Sequence, residues 1–520
     1  MGYKEITVKL PPDYSQEQLE AQVAKAEGLQ DFTVQIVHQS LDARKKGNIH
    51  WLVQLSVLSP EIQGEVPPAP PRLHIPCRKR KEKALVVGCG PAGFFAALVL
   101  QKAGFATTLI ERGAEVGKRE EGIRAFEQSG LFDPLGNYAF GEGGAGTFSD
   151  GKLTARTKNI SLEKGFILES YIQAGAPPEI SYLAHPHLGS DNLKIIVRRL
   201  REEFISIGGT MRFETMLVDL EVQKGRVTAA LTDQGSIEAD YFVIAPGHSA
   251  HETYRMLIGK GVGFRPKNFA IGCRVEHPQT LINRAQWGQE ELPGVKAAEY
   301  RLTSKGNGKL PVYTFCMCPG GVVVPATAYA DTNIVNGMSL YQRDGGFANA
   351  ACVAGVNLNQ LLGRDLSALE ALDWLGGLEQ EFFRHGGGKN NNNGGGYQAP
   401  CCRIEDFIHS RERSVNVESS YPLGLVAAPL WELLPGEISA SIQEGLKEFC
   451  RKIRGFETGI ILGLESKTSA PIQVLREPDG RCCGFENLYL VGEGSGYAGG
   501  IISSGTNGIK AAMHIAETCP

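Results

Sequence analysis

No stretch of this sequence stays apolar for long. The longest runs, such as Phe94 to Leu100, fall far short of the roughly 20 residues that a spanning helix needs, and 421–436 is broken by Pro422, Gly424, Pro429 and Pro435. A membrane-spanning helix and a membrane partner are therefore not expected. Charge of one sign is also lacking: 53 basic residues face 57 acidic ones, a net charge of −4. That balance argues against a general nucleic-acid coat, and 42% hydrophobic residues argue against intrinsic disorder. The 12 cysteines fit no framework of disulfides, because they are scattered and two pairs, Cys401-Cys402 and Cys482-Cys483, are adjacent. Nor do they form a four-ligand set with histidine, so no metal is expected. The start, MGYKEITVKLPPDYSQEQ, lacks a basic stretch followed by an apolar one, and Ile6 stands where a myristoylation signal wants Ser or Thr. A reduced, cytoplasmic setting is the expectation.

What the chain has in excess is glycine, 64 of 520 residues, well above the usual level of about 7% and without a collagen period. Its length allows about three domains. Residues 4–9 read as a strand, and 15–27 as a helix capped by Ser15. Phe32, Val34 and Ile36, then Ile49 to Val57, alternate as two further strands. This predicts a small βαββ, ferredoxin-like domain over 1–59. A proline-rich linker with the basic run CRKRKEK follows over 60–82 and reads as solvated. The tract HGGGKNNNNGGG, 385–396, reads as a mobile surface loop.

The sharpest local signal opens at residue 84, where ALVVG reads as a buried strand, followed by Gly88, Cys89, Gly90, Pro91, Ala92 and Gly93, and then an apolar helix. The next strand ends at Glu111. This spacing predicts a dinucleotide site. Gly88 makes the turn, Gly90 admits the pyrophosphate to the backbone, Gly93 lets helix and strand pack, and Glu111 receives ribose hydroxyls, with free N–H groups of the helix beside them. Near the chain end a strand (487–491) leads to Gly492 and Glu493, then Gly499, Gly500, Ile501 and another helix. Glu493 suits ribityl hydroxyls, and the N–H groups of Gly500 to Ile502 suit the flavin pyrimidine edge. FAD is the expected cofactor.

The segments GCGPAGFFAALVL, IERG, FGEGGAGTFSDGKLTAR, FVIAPGHSA, FAIGCRVEHPQ and VGEGSGYAGGI, with SLDARKK at 40–46, together resemble the uncharacterised FAD-dependent dehydrogenase family, with an FAD domain similar to the glutathione-reductase type. The resemblance implies an α/β fold in which a Rossmann-like FAD-binding domain is split into 83–250 and 471–520, with an α+β substrate domain inserted at 251–470. It also implies that Arg112, Gly143, Gly144, Gly146, Thr147 and Gly247 lie against the cofactor.

For catalysis the candidates are Lys152, which in the loop 141–152 could favour anionic intermediates near the flavin, and His248, at the C-terminal end of a strand. Arg274 could clamp a substrate carboxylate, though a surface pair with Glu276 is the plainer account. Glu465 and Lys467 are candidates by position alone. No second strand-GxGxxG-helix unit appears, since Gly259 to Gly263 reads as a helix stop, and no CxxxxC pair accompanies the first. NADPH or NADH therefore stays open only as a transient electron donor. The leading expectation is an FAD-dependent oxidoreductase passing a hydride between a small-molecule substrate and flavin N5. The alternatives are an RNA-base-modifying flavoprotein served by the basic run, a flavin-dependent monooxygenase, and a non-catalytic FAD-binding protein.

Overall fold

The structure, a computed structural model, describes residues 2–66, 69–388 and 396–519. Most of the tract expected as a loop, 389–395, lies outside the described residues.

Strands Gly2–Leu10, Thr33–Asp42 and His50–Ser59 form an antiparallel sheet with His50–Ser59 in the centre. Helix Gln16–Glu27 lies on it because Leu19 and Val23, one turn apart, meet Val8, Val53, Leu55 and Val57. Its start is fixed by a reciprocal cap. Ser15 Oγ accepts from the Gln18 N–H at 3.3 Å, and the Gln18 side chain accepts from the Ser15 N–H at 3.0 Å.

A five-stranded parallel sheet has the order Leu488–Leu490, Tyr241–Ile244, Lys83–Val87, Ala106–Ile110, Thr210–Arg212. Its strands are apolar on both faces, as a covered parallel sheet requires; Leu85, Val86, Ile110, Phe242, Val243 and Ile244 are all buried. The chain leaves this sheet after Ile244 and returns at Leu488. Helices Pro91–Lys102 and Ile501–Thr518 pack tightly on one face: a Cβ on Gly508 would lie 1.9 Å from the Ala92 carbonyl oxygen.

Between these passages lies a seven-stranded sheet, ordered Thr303–Ser304, Val312–Cys318, Phe347–Val356, Phe269–Pro278, Ile460–Glu465, Ala399–Arg403, Leu425–Ala427. Helices Ala368–His385 and Gly436–Lys452 cover it. Strand Phe269–Pro278 is central and buried on both faces. The expected surface pair is thereby corrected: Arg274 is fully buried, and Glu276, also buried, accepts from Ser420 instead. Alternation identified two faces but could not show that both were covered.

In the basic run Lys79, Lys81 and Lys83 are exposed, as a solvated linker requires, and the reading is corrected at two arginines. Arg78 and Arg80 donate to the Cys519 carbonyl, and Arg80 also to that of Ala516 at 2.6 Å, while its guanidinium lies over Phe105. These two cations close the C-terminal end of helix Ile501–Thr518, where the last carbonyls lack partners and the dipole favours positive charge.

His277 on the central strand gives a clean test of packing. Its Nε2–H donates to the Phe456 carbonyl at 2.8 Å, and burial pushes its pKa down to about 4. The folded state therefore resists a proton that the unfolded chain takes up near pH 6.5, so this contribution is complete above pH 6.5 and is lost as pH falls toward 4. Between pH 7 and 5 it amounts to roughly 2 kcal/mol at most. His277→Gln, which keeps a donor, is expected to show a smaller loss of urea stability over that interval than the parent; equal losses would refute this account.

Candidate functional site

The parallel sheet delivers its strand ends to one crevice. Lys83–Val87 turns at Gly88, whose φ of +97° suits glycine alone and where a Cβ would lie 2.2 Å from the Ala245 carbonyl oxygen. A Cβ on Gly93 would lie 1.9 Å from the Gly88 carbonyl oxygen, so Gly93 lies beneath the turn rather than in the crevice. Gly90 faces outward. A Cβ there would meet only Gly144 Cα, at 3.7 Å, while one on Gly144 would lie 2.9 Å from Gly90 Cα. Two glycine backbones thus bracket an open slot.

The second backbone is held by a residue that spacing did not single out. Arg119, fully buried, donates at 2.8 Å to each of the carbonyls of Asn137, Tyr138, Glu142 and Gly144. A planar guanidinium carries enough donors to fix a whole loop. Gly143 N–H closes the loop onto the Cys89 carbonyl at 3.0 Å, and Thr147 donates to the Glu142 carbonyl at 3.1 Å. Gly143 and Thr147 therefore support the loop, while Gly144 and Gly146 line the cleft.

Glu111, buried at the end of Ala106–Ile110, accepts from the N–H groups of Cys89 (2.8 Å), Gly113 (2.9 Å) and Gly141 (3.0 Å). It ties the glycine turn to the loop while still lining the cleft beside Arg112, which pairs with Glu252 and lies 4.0 Å over the Phe140 ring. At the other end, Gly492, Glu493, Gly499, Gly500 and Ile501 all line the same cleft. Here one expectation needs correction: the Gly500 N–H donates to Glu493 Oε1 at 2.6 Å, so the free donors begin at Ile501. Among the described residues the N–H groups of Ile501, Ile502 and Ser503, like those of Ala92 and Gly93, have no protein acceptor. Two helix N-termini, of 12- and 18-residue helices, thus point donors and dipoles into one space.

The cleft is open to solvent and has a volume of about 860 Å³, toward the upper end of the roughly 300–1,000 Å³ of ordinary ligand pockets. The bracketed slot, the buried acid and the two helix starts fit FAD. Gly88, Gly90, Pro91, Ala92, Glu111, Arg112, Gly144, Gly146, Gly247, Gly492, Glu493, Gly499, Gly500 and Ile501 lie along its length.

Lys152 lines the middle of the cleft. Its Nζ donates to Asp150 Oδ2 at 2.6 Å and to the Met317 carbonyl, joining the loop to the seven-stranded sheet. Asp150 is gripped by Arg343 as well, at 2.9 and 2.6 Å. Burial would raise its pKa, but the two cations outweigh burial and hold the carboxyl well below the usual range. The partner of Lys152 is therefore a buried acid. His248 also lines the cleft, with Nδ1 3.0 Å from Ser249 Oγ and Nε2 3.5 Å from Glu493 Oε2. Burial lowers its pKa despite Glu493, so the ring is neutral near pH 7.

Arg274 does not reach the cleft. Its guanidinium donates to Glu465 (2.7 Å), Asn349 (2.6 Å), Asn336 (3.1 Å) and the Cys316 carbonyl (2.8 Å). The candidate clamp is a buried strut, and Glu465 is its partner. Lys467 is likewise buried, against Glu379 at 2.7 Å. In their place Arg301, Tyr313, Phe315 and Cys316 of the second domain, and His185 from the segment before helix Gly189–Ser206, come to the wall. These come from segments far apart in sequence, and no spacing could have joined them. Cys316 sits at a bulge with φ +42°. All 12 cysteines are free, and the described residues contain no cluster of three or more metal-ligating groups. No helix among them is long and apolar enough to cross a membrane.

Comparison with known proteins accords with this geometry. Residues 81–259 match the FAD binding domain family, residues 268–468 the family described as FAD-dependent protein, C-terminal domain-like, and residues 3–58 a domain of unknown function. FAD is the cofactor. An "Uncharacterized protein" of Clostridium beijerinckii is 37% identical over 500 residues, 93% of this chain and 92% of that protein. Among solved structures, a glycine oxidase of Bacillus cereus shares 11% identity over 84% of this chain and 95% of its own, with a TM-score of 0.33. A geranylgeranyl bacteriochlorophyll reductase-like protein of Thermoplasma acidophilum shares 13% over 84% and 77%, with a TM-score of 0.36.

Proposed function

We propose, taking as premise that the chain belongs to one family with the Clostridium beijerinckii protein and holds FAD, that it is an FAD-dependent oxidoreductase acting on a small molecule in the same cleft. One observation carries this reading: the cleft continues past the two helix starts to a polar wall supplied by the second domain. Bound FAD supplies two-electron redox chemistry, giving or taking a hydride. The chain's own groups orient and balance charge. The N–H groups from Ile501 onward put positive potential at the helix start, and the Lys152 ammonium adds to it from the wall of the same cleft, which favours negative charge developing there. His248, neutral and held by Ser249, is a proton carrier in reach of Glu493.

The RNA-modifying alternative loses part of its support, because two cations of the basic run, Arg78 and Arg80, are engaged at the C-terminal helix. Anaerobic mixing of the yellow protein with NADPH and NADH, followed at the flavin band, tests the reading. Bleaching identifies a nicotinamide-driven enzyme, and oxygen uptake stimulated by substrate would make it a monooxygenase. No bleaching by either nucleotide, followed by none with any small-molecule donor, would sink the oxidoreductase reading in favour of a non-catalytic FAD protein. Lys152→Ala is expected to retain FAD and lower its midpoint potential by about 30 mV or more, equivalent to about 1.4 kcal/mol for two electrons. An unshifted potential removes Lys152 from the charge balance.

A further inference from the structure

We propose that the end of the cleft walled by the second domain receives an oxyanion of the substrate, a carboxylate or a phosphate, through Arg301 and His185, with Arg156 adding to the positive field. This rests on the oxidoreductase reading above and names the substrate class for it. Arg301 is set on the wall by its neighbour Leu302, whose N–H donates to Thr314 Oγ1 at 2.8 Å and whose carbonyl accepts from the Thr314 N–H at 2.9 Å. Its guanidinium donates to His185 Nδ1 at 3.0 Å. A guanidinium offers no acceptor, so Nδ1 carries no proton and the neutral ring holds its proton on Nε2. The pair thus presents the remaining guanidinium N–H groups and an imidazole N–H, a donor set matched to planar or tetrahedral oxyanions.

Charge balance points the same way. Two cations of the cleft have acids, since Lys152 shares Asp150 with Arg343 and Arg112 has Glu252, whereas Lys164 and Lys267, which also line it, have no carboxylate in ion-pair contact among the described residues. Glu299, the acid closest in sequence, also lines the cleft; it lies 3.9 Å from Arg343 and close enough to His185 to favour its protonated form, although burial outweighs it. Arg301 and Arg156 have no carboxylate in ion-pair contact among the described residues, and Arg156 lies close enough to Tyr313 to favour its ionised form. The cofactor pyrophosphate needs neither, since the Gly90–Gly144 slot and the helix start supply backbone donors.

The N-terminal domain fixes this wall. Gln39 donates its N–H to the Tyr182 carbonyl at 2.9 Å and accepts from the Ala184 N–H at 2.9 Å, a parallel bridge that splints the segment immediately before His185. On the far side of His185, the Pro186 carbonyl accepts from Leu153 N–H at 2.9 Å. His185 is therefore held on both sides by backbone pairing.

The test titrates FAD-loaded protein and its Arg301→Gln variant with benzoate and with inorganic phosphate at constant ionic strength, reading the flavin absorption envelope and the thermal midpoint. Saturable binding of at least one anion is expected, at least tenfold weaker in the variant, with FAD retention unchanged. Benzoate alone would assign a carboxylate, phosphate alone a phosphoryl group. The proposal is overturned if neither anion saturates, or if the variant binds as the parent does. It is overturned equally if Arg301→Gln releases FAD while anion binding persists, which would give Arg301 to the cofactor. Protein that never retains FAD would instead remove the reading on which the proposal rests.

Discussion

Gly90→Asp is expected to yield a folded, colourless protein. Gly90 is the N-cap of helix Pro91–Lys102 in an extended conformation, φ −71°, that aspartate adopts readily, and a Cβ there would meet no protein atom closer than 3.7 Å. Aspartate is among the best N-cap residues, so the helix itself should not suffer. The substituent projects into the slot opposite Gly144, where it fills the space and brings a carboxylate to the place where the helix start is free to meet a phosphate. Space and charge therefore act together against FAD while the fold is spared. Absorbance of the purified variant and added-FAD titration should show at least a hundredfold weaker retention, with far-ultraviolet circular dichroism unchanged. Yellow protein in normal yield would overturn the placement of the pyrophosphate. Gly90→Ala provides the graded control, since one methyl group adds bulk without charge.

How much of this was legible in the sequence follows the range of the interactions. The glycine turn, its helix and Glu111 lie within 24 residues, and the turn chemistry can be read directly from them. The N-terminal sheet was legible because Ile49 to Val57 alternate and Ser15 caps the helix between strands. Arg119 was not, because a buried arginine that binds four carbonyls has no periodic signature. The tie from Lys152 and Arg343 to Asp150 joins positions nearly 200 residues apart, and Arg301 meets His185 only through the packing of three separate segments. At Arg78 and Arg80 the basic run misled for a related reason. Charge in a linker reads as solvated until one knows that a helix ends beside it.

Arg274 shows what happens when the periodicity is right and the environment is not. The strand Phe269–Pro278 alternates as read, but the face bearing Arg274 is covered, and the guanidinium is fully enclosed with Glu465 at 2.7 Å. Even Gly337 belongs to the arrangement, since a Cβ there would lie 2.1 Å from an Arg274 nitrogen. Removing one member of a buried pair leaves the other charge without solvent or partner, at a cost of about 3–5 kcal/mol. Arg274→Met keeps much of the volume and strands Glu465, Asn349 and the Cys316 carbonyl together. Its denaturant midpoint is expected to fall by an amount corresponding to that range, in the transition that unfolds the second domain. Replacing both partners, Arg274→Met with Glu465→Leu, should recover more than half of the loss, because no buried charge remains; recovery below that would mean that the hydrogen bonds to Asn349 and Cys316 dominate. A functional consequence separates the strut from a clamp. Arg274 holds the carbonyl of Cys316 at the bulge beside Lys152, so the double variant should regain stability without regaining the wild-type shape of the cleft wall. Anion binding at Arg301 should persist in it, whereas a true substrate clamp at position 274 would lose that binding in single and double variants alike.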